Sequence, residues 1–249
     1  MKWAFFSDIH ANAPALQACW AHARAQGAER LAILGDLVGY GAQPGEVVDQ
    51  VMQWAAQGAV VIRGNHDAMA VHPEPGDLSL GASTALWTHQ QLSPAQRGFL
   101  TALPLQVQID QTLFVHASAE SPERWRYIDR PELAQACLAA AGALQAERVF
   151  VGHVHHQSVY YRGAGRQLMS FKPTPGASMP MPLHRQWVVT VGSVGQPRDG
   201  DPRAMYALLD DAALRLTFHR VPYPHAEAAA AIRAAGLPEY FAHRLETGR

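Results

Sequence analysis

The fold of this chain is decided by residues 30–67, which read RLAILGDLVGYGAQPGEVVDQVMQWAAQGAVVIRGNHD. Arg30–Leu34 and Ala59–Ile62 are short apolar runs with the length and composition typical of buried strands. Between them, Pro44–Gln57 has the apolar spacing of a helix, with a proline near its start and Gly58 after its end. A strand, a helix and a second strand in this order predict a βαβ unit with two parallel strands.

The segments around this unit continue the alternation toward the amino terminus and change character toward the carboxyl terminus. Lys2–Ser7 predicts a strand and Pro14–Gln26 a helix. Later strands, mostly joined by tight turns, are predicted at Leu105–Ile109, Leu113–Val115, Val149–Val151, Ser158–Tyr161, Gln167–Phe171, Gln186–Val191, Ala204–Asp210 and Leu214–Val221. Later helices are predicted at Leu78–Gln91, Ser93–Thr101, Pro131–Ala143 and, as a broken pair, His225–Leu245, with loops at Ala68–Gly76 and Lys172–Pro182. A first half of alternating strands and helices followed by a strand-rich second half predicts an α/β fold of two packed sheets covered by helices. Because no linker separates the two halves, we expect one domain over residues 1–249.

Composition excludes several classes of protein. Of 249 residues, 48% are hydrophobic and 16% charged, which is typical of a globular protein and argues against disorder. The net charge of −1 gives no broad surface for nucleic acid or for an anionic membrane. Met1–Phe6 is too short for a signal sequence, and no run approaches the roughly 18 apolar residues of a membrane span. The two cysteines, Cys19 and Cys137, lie in Ala-rich stretches, so we expect no disulfide framework and a cytoplasmic protein.

Several of the 13 histidines lie in short polar clusters at the ends of predicted strands. The clusters are Asp8-Ile9-His10, Gly35-Asp36, Gly64-Asn65-His66-Asp67, His116 and Gly152-His153-Val154-His155. Because ligand sites in parallel α/β sheets lie outside the carboxyl ends of the strands, we expect these clusters to meet at one edge. Two divalent ions ~3.5–4 Å apart need a bridging ligand, for which Asp36 is the natural candidate. Nitrogen and oxygen ligands without a thiolate favour Mn, Fe, Zn, Ni or Co.

These five clusters, in this order across residues 8–155, resemble the signature of the calcineurin-like metallophosphoesterase superfamily. The stretches Gly35–Gly41 and Gly192–Arg198 are further similar to small bacterial phosphodiesterase-like members, which extends the resemblance over nearly the whole chain. One departure is Thr190-Val191, where similar proteins often have Asn-Pro. The resemblance implies a four-layer α/β/β/α sandwich of two mixed sheets flanked by helices.

The resemblance also implies a role for each polar residue. One metal ion would be held by Asp8, His10, Asp36 and His155, and the other by Asp36, Asn65, His116 and His153. A hydroxide bridging the ions would attack phosphorus, since two metals lower its pKa and neutralise the phosphoryl oxygens. His66 would not bind metal but would stabilise the transition state or protonate the leaving oxygen. Asp67 would orient His66 or cap the following segment, and the sequence leaves both roles open.

Two further residues are candidates for substrate binding. Tyr40 would either stack on a substrate base or pack under the glycine-rich turn, and Arg198 would either bind a phosphate or be a solvated loop residue. We expect a cleft walled by Tyr40 and by the Met and Phe residues near loop 172–182, with Arg198 reaching a second phosphate. That cleft favours a small phosphorylated substrate, a phosphodiester or a nucleotide polyphosphate, and neither a membrane nor a nucleic acid as partner.

Two alternatives to a phosphodiesterase stay open. The first is a phosphomonoesterase or protein phosphatase of the same superfamily. The second is a metal-binding scaffold that has the fold but no turnover. The presence of His66 favours catalysis over the scaffold.

Overall fold

The computed structural model describes residues 1–74, 76, 79–163 and 168–249 of the chain. Within these ranges twelve strands form: Lys2–Phe6 (β1), Arg30–Ile33 (β2), Val60–Val61 (β3), Gln106–Ile109 (β4), Thr112–Val115 (β5), Arg148–Val151 (β6), Gln157–Arg162 (β7), Leu168–Phe171 (β8), Ser178–Pro180 (β9), Trp187–Val191 (β10), Ala204–Asp210 (β11) and Arg215–Val221 (β12). The same ranges contain eight α-helices: Ala13–Ala25 (α1), Pro44–Ala56 (α2), Asn65–Val71 (α3), Ala85–Gln91 (α4), Pro94–Ala102 (α5), Pro131–Ala143 (α6), His225–Ala234 (α7) and Glu239–Thr247 (α8). No helix of this described part has the length and apolar character needed to cross a membrane.

The strands form two mixed sheets of six strands each. The first sheet has the order β3-β2-β1-β11-β12-β9, and β1, β2 and β3 run parallel in it, as the βαβ pattern predicts. The second sheet has the order β4-β5-β6-β10-β7-β8, with β5, β6 and β10 parallel. The parallel strands of each sheet therefore direct their carboxyl ends to one edge, where the polar clusters follow them in the sequence.

Aromatic side chains fill the space between the sheets. Phe5 of β1 stacks on Phe150 of β6 with ring centroids 3.9 Å apart, and Phe114 packs beside both. On its outer face the first sheet packs against α1, α2, α7 and α8, whereas α6 covers the second sheet. Burial of both faces of each sheet explains why its central strands are continuous apolar runs. The result is the four-layer sandwich that the sequence predicts.

Two predicted loops contain regular structure. Residues 65–71, which overlap the predicted loop Ala68–Gly76, form helix α3, because the Asp67 carboxylate accepts a hydrogen bond from the Gly64 N–H at 2.9 Å and caps the first turn. The predicted loop Lys172–Pro182 contains β9, which pairs with β12 at the edge of the first sheet. The predicted boundaries at Leu78 and Gln167 lie outside the described residues.

Candidate metal centre

The polar clusters of both sheets meet at one place, as the sequence predicts. Their ligand atoms form three groups, and the atoms of each group lie within 4.8 Å of one another: Asp8 with His10 and His155, His10 with Asp36 and His66, and Asp36 with His116 and His153. All of these side chains are buried, as is Asn65 at 8% exposure. The first sheet supplies the clusters after β1, β2 and β3, and the second supplies those after β5 and β6. The site therefore lies where the carboxyl ends of the two sheets come together.

The backbone at this site is held in a conformation that non-glycine residues rarely adopt. Asp8, His10 and Asp36 have φ of 52°, 50° and 52°, and His153 and His155 have φ of 64° and 61°. Each left-handed residue of this kind costs on the order of 1–3 kcal/mol, which the surrounding packing must offset. Five of the seven predicted metal ligands share this strain, which indicates that the fold holds them in place for a function.

Two glycines allow the acidic side chains to lie directly against neighbouring backbone. A Cβ atom at Gly64 would lie 2.2 Å from Asp36 Oδ1, and one at Gly152 would lie 2.7 Å from Asp8 Oδ2. Asp36 Oδ1 accepts the His66 backbone N–H at 2.8 Å, and Asp8 Oδ2 accepts the His153 backbone N–H at 2.9 Å. One oxygen of each carboxylate is thus fixed by a main-chain donor, and the other oxygen is directed to the histidines.

Backbone carbonyls fix the tautomers of three histidines. The Nδ1 atom lies 3.1 Å from Val38 O in His10, 2.7 Å from Gln196 O in His155 and 2.6 Å from Leu34 O in His116. Because a carbonyl oxygen only accepts hydrogen bonds, each Nδ1 carries a proton, and the Nε2 atom of a neutral ring presents a lone pair. Carbonyl partners of this kind orient histidines that bind metals.

Around Asp8, the lone pairs then face one another without a donor between them. His10 Nε2 lies 3.2 Å from His155 Nε2, and Asp8 Oδ1 lies 3.1 Å from His155 Nε2 with no hydrogen-bond partner among the described residues. His116 Nε2 lies 3.1 Å from Asn65 Oδ1 and 3.3 Å from Asp36 Oδ2. Buried acceptors that converge on acceptors are unfavourable unless a cation lies between them. The residues present therefore fit divalent metal ions with nitrogen and oxygen ligands.

Asp36 lies between the two halves of this arrangement. Its Oδ2 atom is 3.8 Å from His10 Nε2 and 3.3 Å from His116 Nε2, whereas the Asp8 carboxylate approaches His10 and His155. Asp36 is thus a carboxylate that approaches histidines of both halves.

The pKa values favour the charge states that metal binding requires. Burial alone would raise the pKa of Asp36, but the His116 imidazole and the other nearby histidines hold it well below its usual range. Burial lowers the pKa of His10 well below its usual value and that of His153 to about 3. His116 is the exception: burial would lower its pKa, but the Asp36 carboxylate raises it to about 9, so a metal ion that binds its Nε2 would displace a proton. At neutral pH the carboxylates are therefore ionised while His10 and His153 are neutral and present lone pairs.

The His66 ring lies beside the ligand groups and packs against Tyr40. Its centroid is 5.0 Å from that of His10 and 4.3 Å from that of Tyr40. Tyr40 is 6% exposed and also packs on Phe241, with centroids 4.6 Å apart. The Tyr40 ring therefore has the packing contacts that one of its two predicted roles requires, and its stacking on a substrate base stays a prediction.

Asp67 caps a helix and ties two loops together. Its Oδ1 accepts the backbone N–H groups of Leu37 and Val38 at 2.8 and 3.2 Å, and its Oδ2 accepts that of Gly64. Among the described residues its carboxylate has no hydrogen bond to the His66 ring, so capping is the role that the structure shows. Asp67 also steadies Val38, whose carbonyl oxygen holds His10.

The structure adds three residues that the sequence analysis did not select. Gln196 holds His155 through its backbone carbonyl, and its side-chain oxygen accepts from Arg198 Nη2 at 2.8 Å and from Arg244 Nη1 at 3.1 Å. Tyr127, 48% exposed, stacks on His153 with centroids 4.0 Å apart. Arg244 lies on the buried face of α8 with Phe241 and Leu245, and that helical spacing is a signal that could have identified it. Tyr127 lies in an irregular segment and gives no such signal.

The cleft beside the site is walled by different residues from those predicted. A pocket of about 340 Å³ opens next to Asn65 and is lined by Met69, His72 and Trp125 among others. The loop 172–182 is not part of this wall, because β9 pairs with the first residues of β12, beside the end of the sheet where β1 begins. Met181 is fully buried between the sheets.

Comparisons with known proteins agree with this fold. Residues 1–212 match the family model described as the calcineurin-like phosphoesterase superfamily domain. The uncharacterized protein MJ0912 of Methanocaldococcus jannaschii is 31% identical over 252 residues, covering 99% of this chain and 98% of that protein. A metallophosphoesterase from Sphaerobacter thermophilus is 33% identical, with a TM-score of 0.86 over 100% of both chains. The hypothetical protein PH1004 of Pyrococcus horikoshii shares the fold at 22% identity, with a TM-score of 0.78 over 100% of this chain and 98% of that one.

Proposed function

This chain belongs to the calcineurin-like phosphoesterase superfamily, and on that premise we propose that it hydrolyses a phosphodiester or a nucleotide polyphosphate with the help of two divalent metal ions. The observation that carries the proposal is the convergence of the Nε2 atoms of His10, His155 and His116 on buried carboxylate and amide oxygens. Such a site is stable when cations separate the acceptors.

We assign the ligands as the sequence analysis predicts. One ion would be held by Asp8, His10, Asp36 and His155, and the other by Asp36, Asn65, His116 and His153. When bound, divalent ions of this kind activate water as a nucleophile and neutralise the charge of the phosphoryl oxygens. Manganese, iron, zinc, nickel and cobalt all accept this ligand set.

The residues around the ligands position the reaction. Burial lowers the pKa of His66 to about 4, so at neutral pH its ring enters the reaction uncharged. A neutral imidazole donates one N–H to an oxygen on which negative charge develops, which stabilises the transition state and assists the leaving oxygen. The Tyr40 ring packs against the His10 and His66 rings, and the Asp67 carboxylate accepts the backbone N–H of Leu37 in the loop beside His10. Arg198 reaches a second phosphate of the substrate, beside the one at the metal ligands.

The residues that line the cleft support a substrate whose phosphate carries an organic ester group. The pocket beside Asn65 is lined by Met69 and Trp125, and the exposed ring of Tyr127 lies on His153. An aryl or nucleoside group is held by such apolar and aromatic walls while the phosphate lies at the metal ligands.

We also propose that residues 1–249 act as one domain in the cytoplasm. Helices α7 and α8 follow the matched residues 1–212, yet Ile232 and Phe241 pack into the same core as β1 and α1. Cys19 and Cys137 are both free and buried, as expected of a protein from a reducing compartment.

Hydrolysis is tested with paired substrates that release the same leaving group. We expect the chain loaded with Mn²⁺ to hydrolyse bis-p-nitrophenyl phosphate and to lose this activity in excess chelator. The kcat/KM for this diester should exceed that for p-nitrophenyl phosphate. A monoester preference of about tenfold or more with Mn²⁺, Ni²⁺, Zn²⁺ and Mg²⁺ alike would overturn the diester assignment only. Metal binding without turnover on either substrate would favour the idle scaffold.

Metal binding should also stabilise the fold. Binding to the native state alone contributes about 4 kcal/mol when the free metal exceeds its Kd about 1,000-fold. For a chain of this length that free energy raises Tm by roughly 10 °C. Differential scanning calorimetry with Mn²⁺ and with excess EDTA measures the difference. Equal Tm values in the two conditions would contradict the metal centre, whether or not a substrate has been found.

A further inference from the structure

Two positively charged side chains meet on one neutral atom beside the candidate metal centre. The Oε1 atom of Gln196 accepts hydrogen bonds from Arg198 Nη2 at 2.8 Å, from Arg198 Nε at 3.3 Å and from Arg244 Nη1 at 3.1 Å. Gln196 is 1% exposed and Arg244 is 9% exposed. An amide oxygen carries no net charge, so it orients the two guanidinium groups without neutralising either of them.

Neither arginine has an acidic partner within the described residues. The nearby acidic side chains form ion pairs with other arginines: Asp199 with Arg220 and Asp201 with Arg203. Besides its hydrogen bond to Gln196, the Arg244 side chain donates a hydrogen bond only to the Tyr240 hydroxyl among the described residues. Its Nε atom is buried and has no hydrogen-bond partner there. Burial and the positive charge of Arg198 together lower the pKa of Arg244. A buried cation of this kind is costly unless an anion neutralises it.

Gln196 connects this pair of arginines to the metal ligands. Its backbone carbonyl holds the Nδ1 of His155 at 2.7 Å, and its side chain holds both guanidinium groups. The Arg198 guanidinium also lies over the Tyr40 ring, 5.7 Å from its centroid, and Tyr40 packs against His66. The carbonyl oxygen of Arg198 contacts His156 Nε2 at 3.1 Å, which fixes the loop after the metal ligand His155. The two charges are therefore held at a set position next to the candidate metal ligand His155.

We propose that Arg198 and Arg244, oriented by Gln196, form a subsite for a second anionic group of the substrate. The proposal rests on the proposed phosphoesterase function and narrows its substrate class to molecules with two phosphates, such as a nucleoside polyphosphate. A simple phosphodiester carries one negative charge and leaves this subsite empty. Two converging guanidinium groups with free N–H donors match the oxygens of a phosphate, which accept several charge-assisted hydrogen bonds at once.

The test compares two non-hydrolysable ligands that differ by one phosphonate group. Isothermal titration calorimetry measures the affinity of methylphosphonate and of methylenebisphosphonate for the full chain loaded with Mn²⁺ and freed of excess metal. We expect the bisphosphonate to bind at least about tenfold more tightly to the wild-type chain, because it gains charge-assisted hydrogen bonds at the subsite. Arg198→Gln and Arg244→Gln should each remove most of this advantage and leave methylphosphonate affinity nearly unchanged. Arg203→Gln is the matched control, since Arg203 lies in the same loop region but is exposed and paired with Asp201.

The outcomes separate the subsite from the proposed function. If Arg198→Gln and Arg244→Gln both keep the wild-type affinity ratio, the subsite is wrong even when the chain hydrolyses bis-p-nitrophenyl phosphate. If the ratio falls but no phosphate ester is hydrolysed, the anion subsite stands and the enzymatic function fails. Thermal unfolding shows whether Arg244→Gln still folds, and if it does not, the half-buried Arg198 decides the result through Arg198→Gln. An equal loss in Arg203→Gln would show a general charge effect and would also overturn the proposal.

Discussion

Replacing Asp36 by alanine is expected to remove both metal ions and to reduce phosphoesterase activity by more than about 100-fold, since even residues that only support a ligand change affinity or activity 10–100-fold. Asp36 Oδ2 lies 3.8 Å from His10 Nε2 and 3.3 Å from His116 Nε2, so no other described carboxylate approaches both halves of the site. Elemental analysis of the purified protein measures the metal content directly. The Tm of the variant should also cease to rise with Mn²⁺.

Two further variants distinguish the loss of a ligand shared by both ions from the loss of any buried polar side chain. Asp36→Asn keeps an oxygen that can accept the His66 backbone N–H, so the start of α3 is preserved while the bridging charge is removed. His116→Ala removes a ligand from one side, and we expect it to weaken mainly one ion. Wild-type metal content in Asp36→Ala, or loss of one ion only, would exclude Asp36 as the shared ligand.

The meeting of the strand-end clusters could be predicted because the order of strands and helices in the sequence determines which strands of the sheet are parallel. Two overlapping βαβ units make β1, β2 and β3 parallel, and parallel strands must direct Asp8, Asp36 and Asn65 to the same edge. The sequence also indicates that His116 and His153 follow strands. Their meeting with the first three clusters depends on two sheets packing face to face, which the resemblance implied and the stacked rings of the inner layer show.

Other features depend on contacts between distant segments and could not be predicted locally. Helix α3 begins directly at Asn65, because Asp67 caps it and Gly64 lies against Asp36. Its place in a glycine-rich turn makes Tyr40 a candidate for stacking on a substrate base, but its ring packs against Phe241, which belongs to the last helix of the chain. Likewise, Arg198 and Arg244 are 46 positions apart in the sequence, and they come together because both donate hydrogen bonds to the Gln196 side chain.

Replacing His66 by alanine is expected to leave both metals and the fold in place but to lower kcat about 10²–10⁴-fold, the usual contribution of a positioned proton donor or acceptor. The helical backbone of α3 separates the side chains of successive residues by about 100°, so Asn65 and Asp67 keep their contacts when the His66 ring is removed. The His66 backbone N–H, which donates to Asp36 Oδ1, is also retained.

The choice of substrate decides whether this loss is visible. A p-nitrophenolate leaving group needs little assistance, so bis-p-nitrophenyl phosphate should show a smaller defect than a dinucleoside monophosphate, which must expel an alkoxide. The matched control is His243→Ala, a change at an exposed histidine on α8 that should affect neither metal content nor kcat. Equal defects on both substrates would indicate that His66 stabilises the phosphoryl oxygens instead of the leaving oxygen. Near wild-type kcat on the dinucleoside monophosphate, with full metal content, would remove His66 from the reaction altogether.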